Sequence, residues 1–202
     1  MDRSFFSTHL AASPVIAIIR GLAPEQTAEV AARCWAAGIA LVEVPARDEA
    51  ALAALRAAAE VASGHEDRIL GAGSICSVDD VERAAEAGAR FLVAPGVFPS
   101  SIAAAAEAGL PLLPGVMTPT DVFVALDLGL SVQKLFPAAS VSTDHISALH
   151  GPFPQVSFVA VGGVTPENAK QFLAAGAIGV GVGSSILQPG GPERFSSLVV
   201  TR

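Results

Sequence analysis

The sequence predicts an α/β fold, a (β/α)8 TIM barrel forming a single compact domain over residues 1–202, and three observations carry that expectation. A phrase recurs along the chain: an Ala-rich segment, a glycine and a short apolar run, as in AAGIALVEV, EAGARFLVAPG, EAGLPLLPG, DLGLSVQKLFP and AAGAIGVGVG. With SGHEDRILGAG and HGPFPQVSFVAVGG added, glycines that would end helices fall at Gly38, Gly64, Gly88, Gly109, Gly129, Gly151 and Gly176, spaced 20 to 26 residues apart. That spacing suits one strand plus one helix. Finally, hydrophobic residues make up 51% of the chain and charged residues 15%, as expected for strands buried on both faces of a parallel sheet.

The elements follow in order. An opening apolar strand at residues 14–19 precedes seven helix-to-strand joints, giving eight strands; an open doubly wound sheet, the alternative, usually stops at about five to seven. At each joint glycine supplies the positive φ that closes a helix C-terminus. The second strand, ALVEVPAR, alternates so that Leu41, Glu43 and Pro45 share a face, and in the sixth, SVQKLFP, Val132, Lys134 and Phe136 do. After the seventh strand, Thr165 is expected as an N-cap, with Pro166 at the first helical position and Glu167 and Asn168 in the first turn. No Ser-, Gln- or charge-rich stretch divides the chain.

Several classes of function are disfavoured. The net charge is −7 with no basic stripe, which argues against a nucleic-acid partner. Apolar runs are broken by Glu, Pro or Gly well short of the roughly 20 residues a membrane helix needs, so no membrane partner is expected. The start, MDRSFFSTHLAAS, offers no apolar stretch suited to export, which suggests a cytoplasmic protein. Cys34 and Cys76 form no CxxC motif and read as buried thiols. His9, His65, His145 and His150 show no ligand spacing and read as surface or capping residues, so neither a metal nor a cofactor is expected. Ser74 and Ser184 have no histidine beside them on a rim, which disfavours a serine-hydrolase triad.

In such barrels chemistry collects at the C-terminal ends of the strands. Those ends carry Arg20, Glu43 with Arg47, Ser74, Pro95, Lys134 with Phe136, Gly162-Gly163 and Gly183-Ser184-Ser185. Lys134, one of only two lysines, stands in an apolar strand, where an ammonium costs several kcal/mol unless it is paired or gives up its proton. Two readings follow if Lys134 and Glu43 both face inward. One is a structural ion pair across the core. The other is an amine nucleophile, its pKa lowered by dryness and by Arg20 and Arg47, that attacks a ketone to form a Schiff base while Glu43 shuttles protons. The glycine loops after strands seven and eight suit a phosphate.

The motifs PVIAIIRG, LVEVPAR, LGAGS, LVAPG, LPLLPGVMTPTD, KLFPA, VGGVTPEN and VGVGSS together resemble the 2-keto-3-deoxy-6-phosphogluconate aldolases and their 4-hydroxy-2-oxoglutarate and 6-phosphogalactonate relatives, over nearly the whole chain. The resemblance implies a homotrimeric, metal-independent class I aldolase. It would cleave 2-dehydro-3-deoxy-6-phosphogluconate, or its C4 epimer 2-dehydro-3-deoxy-6-phosphogalactonate, to pyruvate and D-glyceraldehyde 3-phosphate. By position it implies Lys134 as the Schiff-base lysine and Glu43 as the acid/base. Arg20 and Arg47 would lie near carboxylate or phosphate, Ser74 would keep the hydroxyl of a GAGT motif, and Pro95 and Phe136 would form the pocket wall. Gly162, Gly163, Gly183 and Ser184, with Ser185 as the register alternative, would bind phosphate. A phosphosugar epimerase or isomerase using Glu43 as base, and a barrel that only binds ligand, remain the competing readings.

The subgroup features divide. IRG, Pro45, AVGGVTPEN and Val161 resemble the galactonate type, whereas Arg47 follows the gluconate-type ExxxR spacing. Gluconate-type enzymes usually carry threonine at the position of Val161, which the resemblance sets beside the imine. A hydroxyl there favours one C4 epimer by a hydrogen bond worth roughly 0.5–1.5 kcal/mol, and valine removes that bias. Weak discrimination between the epimers is therefore expected in side-by-side retro-aldol assays; a large preference for either would contradict this reading of Val161.

Overall fold

The computed structural model describes residues 3–199. A leading helix α1 (Arg3–Ala12) precedes β1 (Val15–Ile18), α2 (Pro24–Ala36), β2 (Leu41–Pro45), α3 (Glu49–Ala62), β3 (Ile69–Gly73), α4 (Val78–Glu86), β4 (Phe91–Val93) and α5 (Pro99–Glu107). The second half runs β5, in two pieces (Leu112–Leu113 and Gly115–Val116), α6 (Pro119–Asp127), β6 (Val132–Leu135), α7 (Asp144–His150), β7 (Ser157–Val161), α8 (Ala169–Ala174) and β8 (Gly179–Val182). A 3-10 segment, Pro192–Leu198, follows.

All strand pairs are parallel, and β1 sits between β2 and β8. The ring closes through the broken fifth strand. Its first piece pairs with β4, Leu92 opposite Leu112, and its second with β6, Gly115 opposite Lys134. Pro114 interrupts it because proline has no N–H to give to a ladder. The Pro114 carbonyl still accepts the Lys134 backbone N–H at 2.8 Å, so the expected eight-strand barrel is built from nine strand segments.

Helix ends follow the repeated phrase. Gly38, Gly64, Gly88, Gly109, Gly129 and Gly176 all have positive φ. After five of them the next residue donates back across the last turn: Ile39 to Cys34, Ala89 to Ala84, Leu110 to Ala105, Leu130 to Ala125 and Ala177 to Phe172, at 2.9–3.1 Å. Gly151 departs from the pattern, with φ −51°; there the chain continues through a second turn in which Val156 N–H donates to the Phe153 carbonyl. Thr165 is likewise not the N-cap of a helix starting at residue 166. Residues 165–168 form a turn in which the Asn168 side chain accepts the Thr165 N–H at 2.8 Å, and α8 begins at Ala169.

Strand alternation divides the core in two. Outward residues such as Val42, Val44, Leu135 and Val180 pack under the helices, where outward Gln133 donates to the Val122 and Leu130 carbonyls. Inward residues Ile16, Leu41, Ile69, Phe91, Leu113, Val132 and Val159 fill the barrel, joined from below by Phe6 and Leu10 of α1. The sequence reading assigned no element to this plug. The inward positions of β8 are glycines, and Leu10 packs where a side chain on Gly179 would stand. With the lower layers of the described barrel full of hydrocarbon, its cavity opens at the C-terminal rim.

Candidate active site

At that rim a cavity of about 990 Å³ opens along the barrel axis. Its lining includes Arg20, Glu43, Arg47, Ser74, Pro95, Lys134, Phe136, Val161, Gly162, Gly163, Gly183 and Ser184. Of the residues singled out from sequence, only Ser185 is outside it: Ser185 is buried behind the loop, while Ser184 is exposed toward the cavity. The register alternatives for that loop therefore favour Ser184.

Glu43 and Lys134 both project inward and are buried, at 4% and 7% exposure. Both stand beside glycine. Glu43 pairs in register with Ile18 and Gly71, Lys134 with Gly115 and Val159. A side chain at Gly115 would strike the Pro95 carbonyl, so this glycine lets the loop after β4 close against the lysine strand. Burial pushes the Glu43 carboxyl up, against the pull of the Lys134 and Arg20 charges. Burial pushes the Lys134 ammonium down; Glu43 opposes this shift and Arg20 reinforces it. Both groups are therefore moved toward their neutral forms, a poise suited to proton exchange.

No ion pair joins Glu43 to Lys134; those among the described residues link surface groups, such as Arg33 with Glu193 and Arg194 with Glu167. The geometry thus disfavours a structural salt bridge across the core. The Lys134 Nζ instead lies 4.5 Å from the centroid of the Phe136 ring, a cation–π contact that holds the amine against the pocket wall. Arg20 and Arg47 are exposed at the rim, both in the cavity lining. Gly162 and Gly163 have φ of 96° and 74°, and Gly163 abuts Ala139, so the turn after β7 adopts a path that side chains would obstruct.

Other expectations need correction. Cys34 is buried, its thiol pushed up to about 12, but Cys76 is exposed on the loop after β3, near enough to Arg47 and Lys134 to feel their charge. Burial and Asp80 raise its pKa, so it is no ready thiolate. Three histidines are half-buried and structural rather than surface groups. His145 Nε2 lies 2.8 Å from the Met117 carbonyl, and His150 Nε2 lies 3.1 Å from that of Val156. His9 packs against Phe5. Among the described residues, no group of His, Cys, Asp and Glu is arranged to hold a metal ion.

The sequence reading also missed Leu22, Thr27, Asp48 and Leu187 in the lining. Asp48 had a legible signal: it precedes an Ala- and Leu-rich helix, and its carboxylate caps α3 by accepting the Ala51 N–H at 2.8 Å. Ser74 has φ 66°, the one non-glycine residue with positive φ among the described residues, and nothing in LGAGS announced it.

The lysine shift can be read directly. With only Lys134 and Lys170 in the chain, ¹³C-lysine NMR yields two side-chain titrations. The Lys134 signal should titrate below the usual lysine range, and in Glu43→Gln, which removes the charge holding it up, at lower pH still. A Lys134 titrating like free lysine would contradict this geometry.

Comparison with known proteins shows the family. The family model described as "Aldolase: KDPG and KHG aldolase" matches residues 7–192. A probable 2-dehydro-3-deoxy-6-phosphogalactonate aldolase of Rhizobium meliloti (strain 1021) is 35% identical over 178 residues, 88% of this chain and 83% of that protein. The solved 4-hydroxy-2-oxoglutarate/2-dehydro-3-deoxyphosphogluconate aldolase from TTHB1 superposes with a TM-score of 0.86 at 33% identity, covering 100% of both chains. The KDPG aldolase of Legionella pneumophila, solved with pyruvate captured at low pH as a covalent carbinolamine, gives 0.81 at 29% identity over 96% of each chain. A buried lysine and glutamate at the open end of a (β/α)8 barrel thus occur in a chain that belongs to the KDPG and KHG aldolase family.

Proposed function

We propose that the chain is a metal-independent class I aldolase. Its substrate is 2-dehydro-3-deoxy-6-phosphogluconate, the C4 epimer 2-dehydro-3-deoxy-6-phosphogalactonate or both, and its products are pyruvate and D-glyceraldehyde 3-phosphate. The observation that carries this reading is a lysine, biased toward the neutral amine, in the same enclosed cavity as a carboxyl biased toward the neutral acid. The relatives named for the galactonate and gluconate compounds support the substrate class. Cleavage of 4-hydroxy-2-oxoglutarate belongs to the same chemistry.

The neutral Lys134 Nζ adds to the C2 carbonyl, giving a carbinolamine that loses water as Glu43 supplies a proton, and the product is an iminium. Glu43, now a carboxylate, takes the proton of the C4 hydroxyl, directly or through a water. The C3–C4 bond breaks, its electron pair moves into the iminium to form an enamine, and the aldehyde leaves. Protonation of the enamine at C3 and hydrolysis of the imine release pyruvate and restore the amine. Because the iminium is the electron sink, the step needs no other electrophile.

In this reading Arg20 and Arg47 meet the substrate's anionic groups, Ser74, Pro95, Phe136 and Val161 shape the keto-acid end, and Gly162, Gly163, Gly183 and Ser184 receive the phosphate. A cytoplasmic homotrimer is the proposed setting. Phe123, 57% exposed on α6 with Val124 and Leu128 also exposed, supports an assembly, as apolar surface of the kind subunits cover.

Borohydride reduction in the presence of pyruvate tests the reaction class. The expected result is loss of activity, with a mass gain confined to the peptide carrying Lys134 and absent from Lys134→Met. Glu43→Gln should lower kcat by roughly 10²–10⁴-fold. The rate should rise with pH as Lys134 loses its proton, on a limb below the usual lysine pKa. An enzyme untouched by the reduction yet active on phosphosugars would be an isomerase, and no turnover on any phosphorylated or unphosphorylated keto-acid would leave a binding barrel.

A further inference from the structure

The strand β3 spells Ile-Leu-Gly-Ala-Gly, and both glycines face the barrel interior on either side of Ala72, which packs outward. Glycine weakens a strand, so two on one face suggest that something else needs the space. The two spaces have different occupants. A Cβ at Gly71 would stand 2.4 Å from the Phe91 Cζ, in the ring that packs edge-on against Phe6 of α1. A Cβ at Gly73 would stand 1.9 Å from Glu43 Oε1, 2.7 Å from its Cδ and 3.0 Å from its Cγ. Glu43 lies opposite Gly71 in the ladder, but Phe91 already fills that place, so its side chain leans across β3 onto the bare backbone of Gly73.

We propose that Gly73 is a positioning residue: the missing side chain is the socket that holds the Glu43 carboxyl in the cavity, at the place from which it serves the lysine-bound substrate. The inference rests on the proton-shuttle role proposed for Glu43. Gly73 does not have positive φ, so the backbone accepts alanine there. The new methyl collides chiefly with the outer part of a flexible side chain, so the fold relaxes by displacing Glu43. Structure is thereby largely spared and catalysis is not.

The test is exchange of the pyruvate methyl protons for deuterium, followed by ¹H NMR, which requires the Lys134 enamine and a proton shuttle but no aldehyde. Gly73→Ala should exchange about 100-fold more slowly, the loss expected for a catalytic group displaced by an ångström or so. Its thermal midpoint should change by only a few degrees. Glu43→Asp alone should also be slow. In the Gly73→Ala background, however, the shorter aspartate withdraws the carboxyl from the place nearest the methyl and leaves only the milder approach at Cγ, so the double variant should exchange faster than Gly73→Ala alone. If Gly73→Ala is too unstable to assay, recovery of a folded protein in the double variant tests the same contact.

Wild-type exchange by Gly73→Ala, or a double variant no faster than the single, would overturn the assignment of Gly73 while leaving the role of Glu43 intact. Wild-type exchange by Glu43→Gln would instead remove the shuttle itself, and the socket with it.

Discussion

The structure depends on burying two ionisable groups inside one barrel. Glu43 and Lys134 are almost wholly removed from water on inward faces of β2 and β6, without forming an ion pair with each other. Taking a carboxylate or an ammonium out of water costs several kcal/mol, and a pair held apart recovers only part of it. The barrel responds by biasing both toward neutrality; Arg20 at the rim opposes that bias at Glu43, whose carboxylate it attracts, and reinforces it at Lys134, whose ammonium it repels. The stability forgone in this way biases Lys134 toward the neutral amine, the form that the proposed Schiff-base chemistry requires.

Packing determines where those groups stand. Bulky inward side chains fill the lower barrel, Phe5 and Phe6 of α1 meet Phe91 edge-on or tilted, and the apolar layers end just beneath Glu43 and Lys134. Above that floor the large residues give way to glycine. Gly115 admits the Pro95 loop, Gly73 leaves room for a carboxyl, and Gly181 accommodates Val161 and Ile18. The cavity is therefore the continuation of the packing pattern with side chains withheld, which is why so short a chain encloses a substrate-sized volume.

Much of this was legible in the sequence for identifiable reasons. The helix-ending glycines could be read because positive φ is a local demand that few residues but glycine meet, and strand alternation turned Leu41 and Val132 inward together with Glu43 and Lys134. What escaped was decided by tertiary contacts. Gly151 shares the phrase but not the conformation, because the chain there takes an extra turn before β7. The α1 plug has no period-two or turn signal and is recognisable only once Phe91 and Gly179 are seen to receive it. Cys76 looked like a core thiol because sequence does not reveal which way a short rim loop faces. The choice between Ser184 and Ser185 likewise depends on one residue of register in a turn.

The most direct measurement is diffraction from crystals soaked in pyruvate and frozen during turnover. The account predicts continuous electron density from the Lys134 Nζ to C2 of the ligand, with the Glu43 carboxyl within hydrogen-bonding reach of the adduct. Pyruvate bound in the cavity as a free ketone, with the Nζ unreacted and turned away from it, would contradict the central claim that this amine is covalently used.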